Sequence, residues 1–296
     1  MDQSQSPKTI EPRPPTRHNR SAIITGGASG IGRALAEELA RAGVYVVVAD
    51  RQVDLAEQVA SGIRAQGGAG TAAELDVRDP DRFRTVVQAT VAEANRLDYL
   101  FNNAGIVVAG EMRDYDLDDW EDVFDVNLRG VCHGIRAAYP MMIEQSFGHI
   151  VNTASLSGLI PALLQGSYTT TKHAVVGLSR ALRIEARRYG VKVSVLCPGA
   201  IRTPILRGGR YGRAKSGVDP ESFAARIERL GAMEPSLLAR RVLRAVERNR
   251  AIIIEPRSAR VIWYLDRLSP WLSEKLWQGA LRVARRELDR NAPRSG

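Results

Sequence analysis

Short apolar runs rich in β-branched residues recur along the chain, separated by stretches whose apolar positions fall at three- and four-residue steps. The runs at 22–25, 44–49, 70–75, 97–101, 149–153, 192–196 and 251–255 predict seven strands. Their alternation with helical patterns is that of βαβ units feeding one parallel sheet. Between the first two runs, Ile31, Leu35 and Leu39 fall at four-residue steps with Ala34 and Ala42 beside them, and Gly43 ends the helix. Comparable helices are expected at 53–66, 80–95, 117–145 and 167–189. The fold class is therefore α/β: a single doubly wound domain over 20–256, with a seven-stranded parallel sheet flanked by helices.

Elsewhere the pattern changes. From 203 to 233 it weakens, with Gly208, Gly209, Gly212 and Gly217 among arginines and a short helical stretch at 220–230, as expected of a cover over a site. Beyond Pro256 it reads as two helices, 258–268 and 271–290, broken at Pro270, which make 257–296 a basic amphipathic extension. Residues 1–19 are polar and proline-rich and read as a disordered leader without a secretory apolar core.

Composition narrows the function classes. Of 296 residues, 44% are hydrophobic and 25% charged, an ordinary globular balance. No apolar run approaches the roughly 20 residues that span a bilayer. The two cysteines, Cys132 and Cys197, make neither a disulfide framework nor a zinc site, so a reducing, cytoplasmic setting is expected. The formal charge of +9 is concentrated outside the core: +2 lies in residues 1–20 and +5 in residues 256–296. A nearly neutral core argues against nucleic acid as a partner.

Three features carry candidate chemistry. The first predicted strand runs into Thr25-Gly26-Gly27-Ala28-Ser29-Gly30-Ile31-Gly32, a glycine turn that lets backbone and helix N-terminus approach a pyrophosphate. The second ends at Asp50, where a carboxylate can accept hydrogen bonds from both ribose hydroxyls of an adenosine and repel a 2′-phosphate. Tyr168 and Lys172 lie four residues apart on one helix face, where the ammonium can favour tyrosinate. Ser155, 13 residues before Tyr168, leaves the carboxyl end of another strand.

In this order and spacing, over about 20–256, the residues resemble the short-chain dehydrogenase/reductase family, oxidoreductases built on one Rossmann domain. Thr25–Gly32 is similar to the family's glycine turn, through Gly26, Ser29, Gly30, Ile31 and Gly32, and Asp76-Val77 to its adenine-contacting segment. Asn103-Ala104-Gly105, after Asn102, resembles the stretch lining the adenosine side. Pro198, Gly199, Ile201 and Thr203 resemble the segment that holds the nicotinamide carboxamide. The resemblance makes Asn127, Ser155, Tyr168 and Lys172 the catalytic set: Tyr168 as acid/base, Ser155 on the substrate oxygen, Lys172 also on the nicotinamide ribose, and Asn127 orienting Lys172 and a proton-relaying water chain. It implies hydride transfer between a nicotinamide cofactor and a secondary alcohol or ketone. No metal ligand cluster is found.

Asp50 and Ser29 favour NAD over NADP; Arg51, which could meet a 2′-phosphate, argues the other way. Val107, Val108, Leu159, Ile160, Pro161, Leu163 and Leu164 are expected around a lipophilic small-molecule substrate such as a steroid, retinoid or acyl-chain alcohol. Arg202, Arg207 and Arg210 offer a possible anion clamp but read first as a solvated loop. On 271–290, Leu272, Leu276, Ala280, Ala284 and Leu288 form a stripe. Packing on the core or on a sister subunit is favoured for it over peripheral membrane contact through 258–290, and a homodimer or homotetramer is expected. The competing reading is a non-catalytic NAD-binding regulator, against which the complete set of four polar residues stands.

Overall fold

The computed structural model describes residues 19–215, 218–229 and 231–291. Residues 1–18 of the expected leader lie outside the described residues. In chain order the elements are β1 (Ser21–Thr25), α1 (Gly30–Arg41), β2 (Tyr45–Asp50), α2 (Val53–Ala65), β3 (Gly70–Glu74), α3 (Pro80–Ala94), β4 (Tyr99–Asn102) and β5 (Val107–Ala109). Then follow α4 (Leu117–Phe124), α5 (Gly130–Gln145), β6 (Gly148–Thr153), α6 (Gly166–Ala186), β7 (Val191–Pro198) and β8 (Gly212–Ala214). The chain continues through α7 (Pro220–Arg229), α8 (Pro235–Glu247), β9 (Ile252–Glu255), α9 (Ala259–Leu268) and α10 (Pro270–Asn291).

Seven strands pair in the order β3-β2-β1-β4-β6-β7-β9, every pair parallel. Both faces of this sheet are covered, which is why its strands are apolar at nearly every position. Ile24, Val46, Val48, Phe101 and Val151 face one side with α1, α2 and α8. Ile23, Val47, Leu100, Ile150 and Val193 face the other, against Phe83, Val86, Met142 and Leu182 of α3, α5 and α6. Each such side chain contributes about 1.5–3 kcal/mol when fully buried. The order runs outward in two directions from β1 and β4, and the carboxyl ends flanking that reversal are where doubly wound folds bind ligands.

Local signals set the helix ends. Asp79 caps α3 by accepting from the Asp81 and Arg82 amides, with Pro80 at the first helical position, and Asn95 closes it in the left-handed region (φ 57°). Asp116 and Asp119 form a reciprocal capping box on α4.

All seven expected strands form. The single expected helix 117–145 is instead α4 and α5 joined by a π-turn at Asp125–Arg129. The α8 helix was not anticipated, although Leu238, Val242 and Val246 give it a four-residue stripe that is buried against the sheet. Nor was the small parallel pair β5–β8, which ties the glycine-rich cover to the segment after β4. Arg213 and Lys215 reinforce it with ion pairs to the buried Asp119 at 3.0 and 2.5 Å.

Both C-terminal helices form. Ala259 and Trp263 of α9 pack with Ile254 and Cys197, Ser273 donates to Asp266 (2.6 Å) to join α9 and α10, and Arg285 pairs with Glu111 (2.7 Å). The outward face leaves Val261, Tyr264, Leu268, Trp271 and Leu276 more than half exposed. Among the described residues no helix is long and apolar enough to cross a membrane.

Candidate active site

One cleft of about 940 Å³ opens along the carboxyl ends of the sheet. It is lined by the expected positions Gly26, Ser29, Gly30, Ile31, Asp50, Arg51, Asp76, Val77, Asn103, Ala104, Gly105, Ser155, Tyr168, Lys172, Pro198, Gly199, Ile201 and Thr203. Two expected residues do not line it, Gly32 and Asn127. A Cβ on Gly32 would stand 2.1 Å from the Gly26 carbonyl, so this glycine lets the turn fold back on its own helix rather than touching a ligand.

The turn forms a cradle suited to an anion. Gly26 (φ +63°) and Gly30 (φ +51°) hold conformations that other residues adopt only with strain. A Cβ on Gly26 would meet the Ala104 Cα at 2.9 Å. Ser29, at the N-cap of α1, makes no side-chain capping bond, and no acidic residue occupies the first turn. The first helical amides, which have no acceptor within the helix, are left facing the cleft with the positive end of the helix dipole. Beside them Asp50 accepts from the Ala28 amide (3.1 Å) and the Gln52 amide (3.0 Å), which fix its carboxylate at the end of β2. These residues fit a dinucleotide: amides for a pyrophosphate and a fixed carboxylate for a ribose diol.

The adenosine side is built by β1 and β4. Thr25 Oγ1 accepts from the Asn103 and Ala104 amides (2.9 and 3.1 Å), and Asn103 Nδ2 returns a bond to the Thr25 carbonyl (3.1 Å). Asp76 is clasped by Arg78, whose hydrogen bonds hold its carboxyl below the usual range. Arg51, the candidate for a 2′-phosphate, donates to the Arg210 carbonyl (2.7 Å), while Arg210 reaches Gln52.

At the other end, Tyr168 stands one helical turn before Lys172 on α6, and the Lys172 Nζ is 5.3 Å from the centre of the phenol ring. Ser155 lies close enough to Tyr168 to influence its phenol; its hydroxyl accepts from the Ser157 amide (3.1 Å) and donates to the Ser157 hydroxyl (3.3 Å). Burial pushes the Tyr168 phenol up, and the neighbouring Ser155 hydroxyl works against that rise. Lys172 Nζ donates to the Thr153 carbonyl (2.9 Å), and burial pushes it down to about 8, so it is still protonated at neutral pH. Cys197 nearby is fully buried and pushed up to about 12, which leaves an unreactive thiol.

Asn127 sits inside the π-turn, fully buried. Its Oδ1 accepts from the Ile106 amide (2.8 Å) and its Nδ2 donates to the Ile106 carbonyl (2.9 Å). Asn127 was expected to orient Lys172 and a water chain; the ammonium itself donates to the Thr153 carbonyl. The two side chains approach across Gly105, where a Cβ would lie 3.3 Å from Asn127 Oδ1 and 3.4 Å from Lys172 Nζ.

These are the parts of an alcohol-oxidising site on a nicotinamide cradle, and the comparisons with known proteins agree. The profile of the family described as short chain dehydrogenase matches residues 20–212. The chain belongs to the short-chain dehydrogenase/reductase family. It is an oxidoreductase using a nicotinamide cofactor and acting on CH–OH groups. It is 36% identical to the cyclohexanol dehydrogenase of an Acinetobacter species over 64% of this chain and 76% of that protein. With the 2,5-dichloro-2,5-cyclohexadiene-1,4-diol dehydrogenase LinX of Sphingobium indicum it shares 37% over 62% of this chain and 74% of that one. A short-chain dehydrogenase/reductase from Burkholderia phymatum, solved in complex with NAD, superposes with a TM-score of 0.77 at 29% identity, covering 86% of this chain and 94% of that one. The apo form of LigD from a Sphingobium strain gives 0.71 at 26%, covering 90% and 97%.

The rest of the cleft corrects several expectations for this dehydrogenase. Val107, Ile160, Pro161, Leu163 and Leu164 line it; Val108 and Leu159 do not, the first buried and the second packed on the core below. Arg202 is ion-paired with Glu234 and Arg207 with Glu221 and Glu228, both outside the cleft, while Arg210 lines the cleft and hydrogen-bonds Gln52. Missed altogether were Trp277, Ala280, Val283 and Ala284, which bring α10 across the mouth of the cleft. Ala280 and Ala284 stood in the expected stripe, but nothing local said that it would cover this cleft.

The lowered Lys172 makes stability depend on pH. Between pH 8 and the ordinary 10.5 the unfolded chain holds a proton that the folded one has released, so the cost of burying the ammonium fades as pH rises. Lys172→Met is therefore expected to be more stable than the parent at pH 7 and to lose that advantage by pH 10 in urea denaturation. A difference that does not change with pH would contradict the buried ammonium.

Proposed function

We propose that the protein is an NAD-preferring dehydrogenase of lipophilic secondary alcohols and their ketones, with Tyr168 as acid/base. The observation that carries this reading is that Ser155, Tyr168 and the Lys172 ammonium meet at the end of a cleft that begins at the glycine cradle. Gly26, Ser29, Gly30 and Ile31 would hold the pyrophosphate, Asp50 the adenosine ribose, Lys172 the nicotinamide ribose, and Pro198, Gly199, Ile201 and Thr203 the carboxamide end. When bound, the nicotinamide supplies two-electron redox chemistry at the carbinol carbon.

The protein's own groups manage the proton. Ser155 Oγ donates to the substrate oxygen and steadies charge that develops there. In reduction, neutral Tyr168 donates its Oη proton to that oxygen, and burial keeps the phenol in this acid form. In oxidation, the phenol first has to lose its proton, which the nearby Lys172 charge assists. Oxidation should therefore gain on reduction as pH rises. Asn127, by fixing the Ile106 backbone, keeps the floor between the two cofactor halves in place.

Asp50 supports NAD because its carboxylate is fixed by two amides where a 2′-phosphate would have to sit, and Arg51 is engaged with the cover. The apolar lining from Val107, Ile160, Leu163 and Leu164, with Arg202 and Arg207 ion-paired outside it, supports a lipophilic substrate. The names of two relatives, dehydrogenases of a cyclohexanol and of a cyclohexadiene diol, point the same way. The outward band of α9 and α10 we assign to a subunit contact, since exposed rings clustered there gain from burial.

Tyr168→Phe is expected to lower turnover of secondary alcohols by about 10²-fold or more while NAD binding, followed by calorimetry, is kept. Near-normal turnover would remove Tyr168 from its role. Asp50→Ala should shift the ratio of kcat/KM for NAD and NADP toward NADP; an unchanged ratio would make another residue the discriminator. Light scattering of the full chain should give a homo-oligomer that disperses when Trp271 and Leu268 are both changed to Ser. A monodisperse monomer that co-sediments with anionic liposomes at low salt but not at high salt would assign the band to lipid instead.

A further inference from the structure

The cleft does not end at α10. A second cavity of about 550 Å³ lies against the adjacent face of that helix, lined there by Pro270, Glu274, Gln278 and Leu281 and across from it by His173 and Asp266. Four residues belong to both spaces: Ile160, Pro161 and Leu163 from the turn after β6, and Trp277 from α10. They are therefore the partition between the two. Ala280 and Ala284 on the neighbouring turns of α10 are too small to fill the inner cleft, and Ala284 is itself 8% exposed beneath the helix.

We propose that α10 is the specificity wall of this dehydrogenase, with Trp277 dividing a carbinol compartment from an outer compartment that takes the far end of an elongated apolar alcohol or ketone. This rests on the dehydrogenase reading above. The carbinol end is fixed by Ser155 and Tyr168, so a short substrate occupies the inner space alone. A longer one runs along Ile160 and Leu163, past the edge of the indole, and places its end against Leu281. Each methylene withdrawn from water on that path adds to the affinity for a longer substrate. The outer rim is polar, with Glu274 bonded to Gln278 (3.0 Å) and Asp266 to Ser273. A neutral tail end is thus accepted there, and a carboxylate is repelled by the two acids.

The test uses the full-length protein with NAD and a series of 2-alkanols from 2-butanol to 2-dodecanol, which share one carbinol and differ in length. The expected result is a rise of about 10²-fold or more in kcat/KM along the series. Leu281→Trp, which fills the outer compartment, should abolish the rise while leaving 2-butanol within twofold. Because a bulky substitution can disturb α10, binding is also read without turnover. 2-Dodecanone should change the intrinsic fluorescence of the parent, and Trp277→Phe should remove that change with its melting temperature kept. A flat length profile in the parent, or a Leu281→Trp protein in which short and long alcohols fall together, overturns the proposal. If no alcohol is oxidised but 2-dodecanone still reports through Trp277, the dehydrogenase reading fails and the two-compartment wall stands. If 2-butanol is oxidised and neither length nor Trp277 matters, the reverse holds.

Discussion

A chain of buried amides and hydroxyls fixes how the layers of this protein meet. Asn102 at the end of β4 donates to Asn152 on β6 (2.8 Å), Asn152 donates to Ser179 on α6 (2.9 Å), and Ser179 closes on the Val175 carbonyl (2.6 Å). All lie where water does not reach, so each lost partner would cost about 1–3 kcal/mol. Apolar packing tolerates a shift of α6 along the sheet far better than these bonds do, because they have one solution. That solution sets Lys172 over the Thr153 carbonyl and Tyr168 beside Ser155. The face of α5 yields to the same network: a Cβ on Gly134 would stand 2.1 Å from Asn102 Oδ1, so only glycine allows the helix to lie this close.

The two ends of the cleft are shaped by different physics. At the cofactor end the backbone does the work, through the Gly26–Gly30 turn, free amides of α1 and the Thr25–Asn103 clasp. At the reacting end, side chains with opposed tendencies are crowded together: burial pushes the Tyr168 phenol up and the Lys172 ammonium down.

How much of this could be seen beforehand varied with the range of the interaction. The sheet was legible because strands buried on both faces are apolar throughout, and the glycine turn and Asp50 were legible because each follows its strand directly. The π-turn around Asn127 was not, since one extra residue per turn over five positions leaves the helical pattern of 117–145 nearly intact. The β5–β8 pair joins two three-residue strands about a hundred positions apart, and neither alternates enough to announce itself. The helix α8 was there to be found in Leu238, Val242 and Val246 and was passed over beside the glycine-rich cover. For α10 the stripe was plain and its destination was not, because Glu111, which anchors Arg285, lies 174 residues away.

That last helix has an evolutionary consequence. Every group we assign to the cofactor or the reacting oxygen lies no later than Thr203, on the sheet and the helix that the buried amides lock together. Trp277, Ala280 and Leu281 belong to a segment that follows the final strand and is held by a few surface contacts. Sequence drift there meets little resistance from the sheet, so lineages can exchange the molecules they admit while inheriting the redox chemistry unchanged.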